Sequence, residues 1–235
     1  MVLLMGNEQG TEVLVRPEVR RSLTLWLTPD ERQSWHRKAA DYWKTRQHYL
    51  EAAHHLSLAG FVEQAARLVL EQQQAILDQG PVDELREVLA DLSRTRPNDL
   101  ALWAELKTFA GEVAEFVGDI DAALRDYRQA VGSQAAQPAT YALYRLARLL
   151  RLKNIDEALV YYDRCVERLL DSEGDTPLLV QVLIDRAWIF IEERCDLQRA
   201  EQDLAQRGPA LTATIALYGP TCTRRWGSCR IARAI

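Results

Sequence analysis

Gly118-Asp119-Ile120-Asp121-Ala122-Ala123, Lys153-Asn154-Ile155-Asp156-Glu157-Ala158 and Cys195-Asp196-Leu197-Gln198-Arg199-Ala200 share one pattern. A loop residue suited to the left-handed region or to capping is followed by an apolar residue, two mostly polar ones and an alanine. Two earlier stretches repeat it: Gln47-His48-Tyr49-Leu50-Glu51-Ala52 and Gly60-Phe61-Val62-Glu63-Gln64-Ala65. The alanines at 123, 158 and 200 lie 35 and then 42 residues apart. That is the spacing of a helix-pair repeat of ~34 residues, with one unit lengthened.

Two helices joined by a tight turn come close only where small residues sit at the approach. Ala123, Ala158 and Ala200 fit that place near the start of each second helix, and Gly111 and Ala114 fit it on a first helix. Tyr127, Tyr162 and Leu204 follow each alanine by one turn and supply bulk between units. Each pair leaves one face bare for the next to cover. The expected fold is therefore all-α: a TPR-like α-α superhelix, a right-handed solenoid of antiparallel helix pairs.

Outward from the repeats the chain changes character. Val2-Leu3-Leu4-Met5, the glycine-flanked Gly6 to Gly10 and Thr11-Glu12-Val13-Leu14-Val15 predict a short N-terminal β-hairpin, marginal unless it packs on something. Pro17 suits the first turn of a helix carrying Val19, Leu23 and Trp26. Thr28-Pro29-Asp30-Glu31 predicts a capped restart, with Trp35, Ala39, Tyr42 and Trp43 on one face and an end near Gln47. Asp78-Gln79-Gly80-Pro81 is a break. Val82, Leu85, Val88, Leu89 and Leu92 form an amphipathic helix stopped at Arg96-Pro97. Asn98 or Asp99 caps the next, whose buried side carries Leu102, Trp103, Leu106 and Phe109. After Gln206 the helical period stops: Gly208, Pro209, Gly219, Pro220 and Gly227 interrupt it, and arginines crowd between Arg224 and Arg233. A shifted or truncated reading frame gives this look, and so does a natural disordered tail. The division read from the sequence is 1–27, 28–207 and 208–235.

Of the 235 residues, 48% are hydrophobic and 27% charged, an ordinary balance for a chain with a core. The net charge of −5 argues against the broad basic footprint of a nucleic-acid binder. No apolar run approaches the ~20 residues of a membrane span, and Met1 to Met5 lacks the flanks of a signal peptide. Cys165 and Cys195 fall in helical patterns and read as reduced, which predicts a cytoplasmic location.

Trp35-His36-Arg37-Lys38-Ala39-Ala40-Asp41-Tyr42-Trp43, followed by Tyr49-Leu50-Glu51-Ala52-Ala53-His54-His55-Leu56-Ser57-Leu58-Ala59-Gly60, resembles the start of the helical-repeat region in STAND-class signal-transduction ATPases. It is most similar to the LuxR-type transcriptional regulators related to the activator of the maltose regulon. Glu63 to Val69, Arg96 to Trp103 and Gly118 to Ala123 continue the likeness. The hairpin and Arg16 to Leu23 resemble the wing and last helix of that family's winged-helix subdomain. Residues 10 to 205 carry the resemblance. The family's histidine before Pro17 is replaced by Val15-Arg16, and its aspartate after Ala-Gly is Phe61. No G-x-x-x-x-G-K-[ST] occurs, and the C-terminal DNA-binding helix-turn-helix is absent. The resemblance thus implies the sensor part of such a regulator without its ATPase or its DNA-binding output, read as the middle of a larger signalling protein.

Chemistry-bearing clusters are few. His54 and His55 point about 100° apart on a helix, with His48 across a turn and His36 upstream, which is not the one-face arrangement of a metal site. Cys222 and Cys229 are too widely spaced for a zinc pair and have no second pair. Ser57, Ser93 and Ser133 lack a nucleophile-elbow context. No metal, cofactor or catalytic set is expected, and the chain is read as not an enzyme. Trp26, Trp35, Trp43, Trp103, Trp188, Tyr141, Tyr144, Tyr161 and Tyr162 suit inter-helix packing; alternatively a few line a concave groove. By register the first helix of each pair lines that groove with Glu105, Thr108, Glu112 and Glu115, then Thr140, Leu143 and Ala147, then Asp185, Ile189 and Glu192. This acidic and apolar lining suits a peptide, a partner protein or a small effector better than nucleic acid. The expected function is a repeat domain of a signal-transduction regulator; the alternative is a free-standing TPR adaptor or scaffold.

Overall fold

The computed structural model describes residues 2–7, 10–15, 26–79, 82–94, 97–133, 136–171 and 176–205. The expectations for the helix at Pro17, for Gly80-Pro81 and for the chain from Gln206 onward lie outside them. The chain divides into two compact units, Met1–Leu102 and Trp103–Ile235.

In unit 1, strands β1 (Val2–Asn7) and β2 (Gly10–Val15) pair antiparallel, Val2 opposite Val15 and Asn7 opposite Gly10. Helix α1 (Pro29–Thr45) starts at a capping box: the Glu31 backbone N–H donates to Thr28 Oγ1 at 3.3 Å, and Thr28 N–H donates to the Glu31 carboxylate at 2.8 Å. Helices α2 (Tyr49–Leu58), α3 (Val62–Glu71), α4 (Gln73–Gln79) and α5 (Val82–Arg94) follow. Their buried side chains are small or aliphatic: Ala52, Ala53, Ala65, Ala66, Val69 and Leu92. Helix α6 (Leu100–Phe116) begins at Asp99, whose carboxylate accepts from the Ala101 and Leu102 N–H groups at 3.0 and 3.2 Å.

Unit 2 contains the rest of α6 and α7 (Ile120–Gly132), α8 (Ala136–Leu150), α9 (Ile155–Asp171), α10 (Thr176–Ile189) and α11 (Leu197–Ala205), with a π-helical turn over Phe190–Arg194. Ala158, Tyr162, Cys165, Val166 and Leu169 put the buried stripe of α9 at helical spacing. The alanines of the repeat pattern, Ala123, Ala158 and Ala200, are all buried, as are Tyr127 and Tyr162. Gly111 has a specific reason to be glycine. A Cβ there would lie 2.6 Å from the Tyr127 ring, inside any allowed contact. Burying each such large side chain contributes about 1.5–3 kcal/mol.

The turns explain the sequence pattern. Gln47, Gly60, Gly118 and Cys195 all have positive φ, at 64°, 81°, 82° and 51°. At the first three the chain closes in the same way. His48, Phe61 and Asp119 each donate their N–H to the carbonyl five residues back, and Gln47, Gly60 and Gly118 to the carbonyl three back. This is the Schellman closure of a helix end. At Cys195 the π turn adds a residue, so the Asp196 N–H reaches Phe190 instead, six back. The turn at Lys153-Asn154 uses no positive φ; there Asn154 caps α9 by accepting from Glu157 N–H at 3.2 Å.

Candidate binding groove

Helix α8 carries one polar and aromatic face: Tyr141, Tyr144, Arg145 and Arg148, continuing into Arg151 and Leu152. These positions follow the i, i+3, i+4, i+7 spacing of a single helical face. With Glu115 of α6, Tyr162 of α9, and Gln181 and Asp185 of α10 they line an open groove of about 680 Å³ within unit 2.

The groove is cross-linked by tyrosine–carboxylate hydrogen bonds. Tyr144 Oη donates to Asp185 at 3.0 Å, Tyr141 Oη to Glu112 at 3.0 Å, and Tyr127 Oη to Glu115 at 3.1 Å. Arg145 Nη2 donates to Glu115 at 2.7 Å and its Nε to Tyr127 Oη at 3.3 Å. The guanidinium of Arg148 lies 5.7 Å from the centre of the Tyr144 ring, within cation–π range. Burial, with Asp185 beside it, pushes the Tyr144 hydroxyl up to about 12. Burial and Glu112 raise Tyr141, and burial raises Tyr127 and Tyr162. All four are therefore neutral hydrogen-bond donors near pH 7. Burial opposes the charge on Arg145, but Tyr127 and Glu115 outweigh it and hold the cation.

Only part of the lining expected from sequence register meets this groove. Glu115 and Asp185 line it, and Glu112 stands beside it through Tyr141. Glu192 is exposed on the π turn, 3.8 Å from Arg151, and Glu105 is exposed on α6. Five residues are corrected: Thr108, Thr140, Leu143, Ala147 and Ile189 are buried and do not line an open groove. Thr108 turns its hydroxyl back to the Ala104 carbonyl at 2.7 Å, and the Thr140 carbonyl faces the Cys165 thiol at 3.5 Å. Leu143 and Ile189 sit in the core between helices. The first helices are flanked by neighbours on two sides, so the exposed strip is narrower than register alone implies. Nor is the lining acidic and apolar: it carries Arg145, Arg148 and Arg151, whose signal was the stripe 141, 144, 145, 148 and 152.

Elsewhere, the His36 and His55 Nδ1 atoms of unit 1 lie 3.0 Å apart. Among the described residues no group of three or more His, Cys, Asp or Glu is placed to hold a metal ion, and no helix is long and apolar enough to cross a membrane. The Cys165 thiol is buried, which pushes it up to about 12.

No protein-family model matches the chain, and no curated protein matches it. Among solved structures it is similar to aspartyl phosphate phosphatase F from Bacillus subtilis, with a TM-score of 0.53 and 12% identity over 86% of this chain and 55% of that one. MamA matches with a TM-score of 0.49 and 15% identity over 70% of this chain and 89% of that one. The apo form of RapI matches with a TM-score of 0.47 and 16% identity over 81% and 74%. At such identities the likeness concerns the fold, and the likeness to the phosphatase makes that fold a TPR-like helical repeat.

Proposed function

We propose that this chain is the non-catalytic, TPR-like repeat segment of a signal-transduction or transcription regulator, and that it binds a partner protein or peptide effector in the unit 2 groove. The groove itself carries the binding half of this reading. Its volume of about 680 Å³ is that of a ligand site, and its tyrosines and arginines are the residue types that dominate binding hot spots. Its hydroxyls stay protonated, and Glu115 and Asp185 are each held by hydrogen bonds, which favours binding over acid–base chemistry. The regulator half rests on the resemblance of Trp35–Trp43 and Tyr49–Gly60 to STAND-class, LuxR-type regulators, with the N-terminal hairpin as the wing of a winged helix.

A photo-crosslinking residue in place of Leu152, 80% exposed at the groove, tests the binding half in cells. The control is the same residue in place of Leu170, 58% exposed on α9. A discrete adduct specific to position 152 is expected; identical adducts from both positions would defeat the reading. The gene sequence tests the regulator half: an in-frame P-loop ATPase upstream of Met1 supports it, and unrelated upstream sequence favours a free-standing TPR adaptor.

A further inference from the structure

Helix α1 has two stripes. His36 and Ala40 belong to the one toward α2: the His36 and His55 Nδ1 atoms are 3.0 Å apart, and Ala40 is buried. Trp35, Lys38 and Tyr42 form the other, on the exposed flank, with 59% of Trp35 and 49% of Tyr42 open to solvent. Glu31 extends this stripe at one end and Arg46 at the other, and both are exposed. From Glu31 through Trp35 and Lys38 to Tyr42 the steps are four, three and four residues. That is the a/d spacing by which one helix seats against another.

The charges decide what seats there. The first turn of α1 is acidic, with Asp30 and Glu31, and its last turn carries Lys44, followed by Arg46 at the cap. Neither Lys38 nor Arg46 has an ion pair among the described residues; Lys38 lies 5.0 Å from the centre of the Trp35 ring and Arg46 4.3 Å from that of Tyr42. The capping bonds of Glu31 use its Oε2, which leaves Oε1 for a partner. A second copy laid parallel on this face would set Glu31 against Glu31 and Arg46 against Arg46. Laid antiparallel, about a two-fold axis between positions 38 and 39, it sets Trp35 against Tyr42 and Glu31 against Arg46 in one register. The face is thus self-complementary, as a two-fold interface requires. An anionic strand or surface would meet the acidic first turn as well as the cations.

We propose that the Trp35–Tyr42 face of α1 is a self-association surface, on which a second copy of this chain docks antiparallel through the same face. The opposed helix dipoles favour that direction. Lys38 falls beside the axis, next to its own copy. A charged residue in the middle of an apolar seam fixes register at a cost in stability. Helix α1 has 17 residues, a length of about 25 Å. One such helix pair buries less than the roughly 1,600 Å² of a standard interface, so the dimer is weak and reversible.

Sedimentation velocity on the full chain, from low micromolar to several hundred micromolar, tests it. A monomer–dimer equilibrium is expected, no tighter than micromolar. Trp35→Ser combined with Tyr42→Ser is expected to leave a monomer throughout, with an unchanged melting temperature at low concentration, because both positions are exposed. Lys38→Leu removes the like charges at the axis and is expected to tighten the dimer about tenfold. Charge reversal tests the register. Glu31→Lys alone and Arg46→Glu alone each set like charges opposite one another and are expected to weaken association about tenfold. An equimolar mixture of these two variants restores opposite charges at both contacts and is expected to form a mixed dimer as tight as the native one. A monomer at every concentration, a dimer that survives the double serine substitution, or a mixture no tighter than its parts overturns the proposal. A monomer whose stability falls in the double serine variant overturns it in favour of a cover from within the chain.

Discussion

Unit 1 closes its helices on alanine, valine and leucine, and its larger rings stay near solvent: Trp35 is 59% and Tyr42 49% exposed. Unit 2 buries Tyr127 and Tyr162 completely, together with charged Lys107 and Asp203. The turn chemistry is common to both, since Gly60 and Gly118 close their helices identically. The difference lies in what fills the gap beyond the turn. An aliphatic filler ends at the core. Tyr127 instead carries its hydroxyl through the core to Glu115 and Arg145, which line the groove.

The comparison is broken most severely by Asp203→Ala. Arg186 makes two hydrogen bonds to the Asp203 carboxylate, at 2.9 and 2.5 Å, with only 11% of its own side chain exposed. Removing the partner leaves a buried cation with Asp163 alone, so unit 2 is expected to lose about 3–5 kcal/mol, measured by urea denaturation. Gly111→Ala comes next. The added Cβ meets the Tyr127 ring at 2.6–2.9 Å, and about 1–3 kcal/mol of overpacking is expected. Gly132→Ala, with open space around it, should lose nothing. An equal melting temperature for the two variants would refute the packing account of Gly111.

Acidity sharpens the comparison from the other side. All four histidines lie in unit 1. Burial, aided by their neighbouring histidines, holds His36 and His55 below the ordinary value of 6.5. The unfolded chain therefore binds protons that the folded pair resists. Stability from this source is complete above about pH 6.5 and falls as the pH drops below it. Thermal unfolding at pH 7.5 and 5.5 should show a loss that His55→Gln reduces and that protease protection maps to unit 1 alone. The smallest effect belongs to Phe116→Ser: with 77% of the residue exposed, a change within about ±0.5 kcal/mol is expected.

The turns were legible in the sequence because their chemistry is local. A left-handed residue followed by a cap and an apolar position declares itself within six residues, as at Gly118 to Ala123. The need for a small residue at Gly111 was legible for a related reason, since close approach leaves few residue types allowed; that the Tyr127 ring is what approaches it was not. The groove was not. Thr140, Leu143 and Ala147 share a helix with Tyr141, Tyr144 and Arg148, and periodicity separates two faces without saying which one a neighbour covers. The π turn at Phe190–Arg194 and the His36–His55 contact were equally hidden, because neither is set by the residues beside it in sequence.

Tyr127 belongs to two places at once. Its ring fills the hollow left by Gly111, and its hydroxyl joins Glu115 and Arg145 at the groove. Arg145 thus bonds one end of a rigid ring whose body wedges α6 against α7. One side chain thereby ties the spacing of two helices to the polar network of the groove, so that neither can be altered by substitution without bearing on the other.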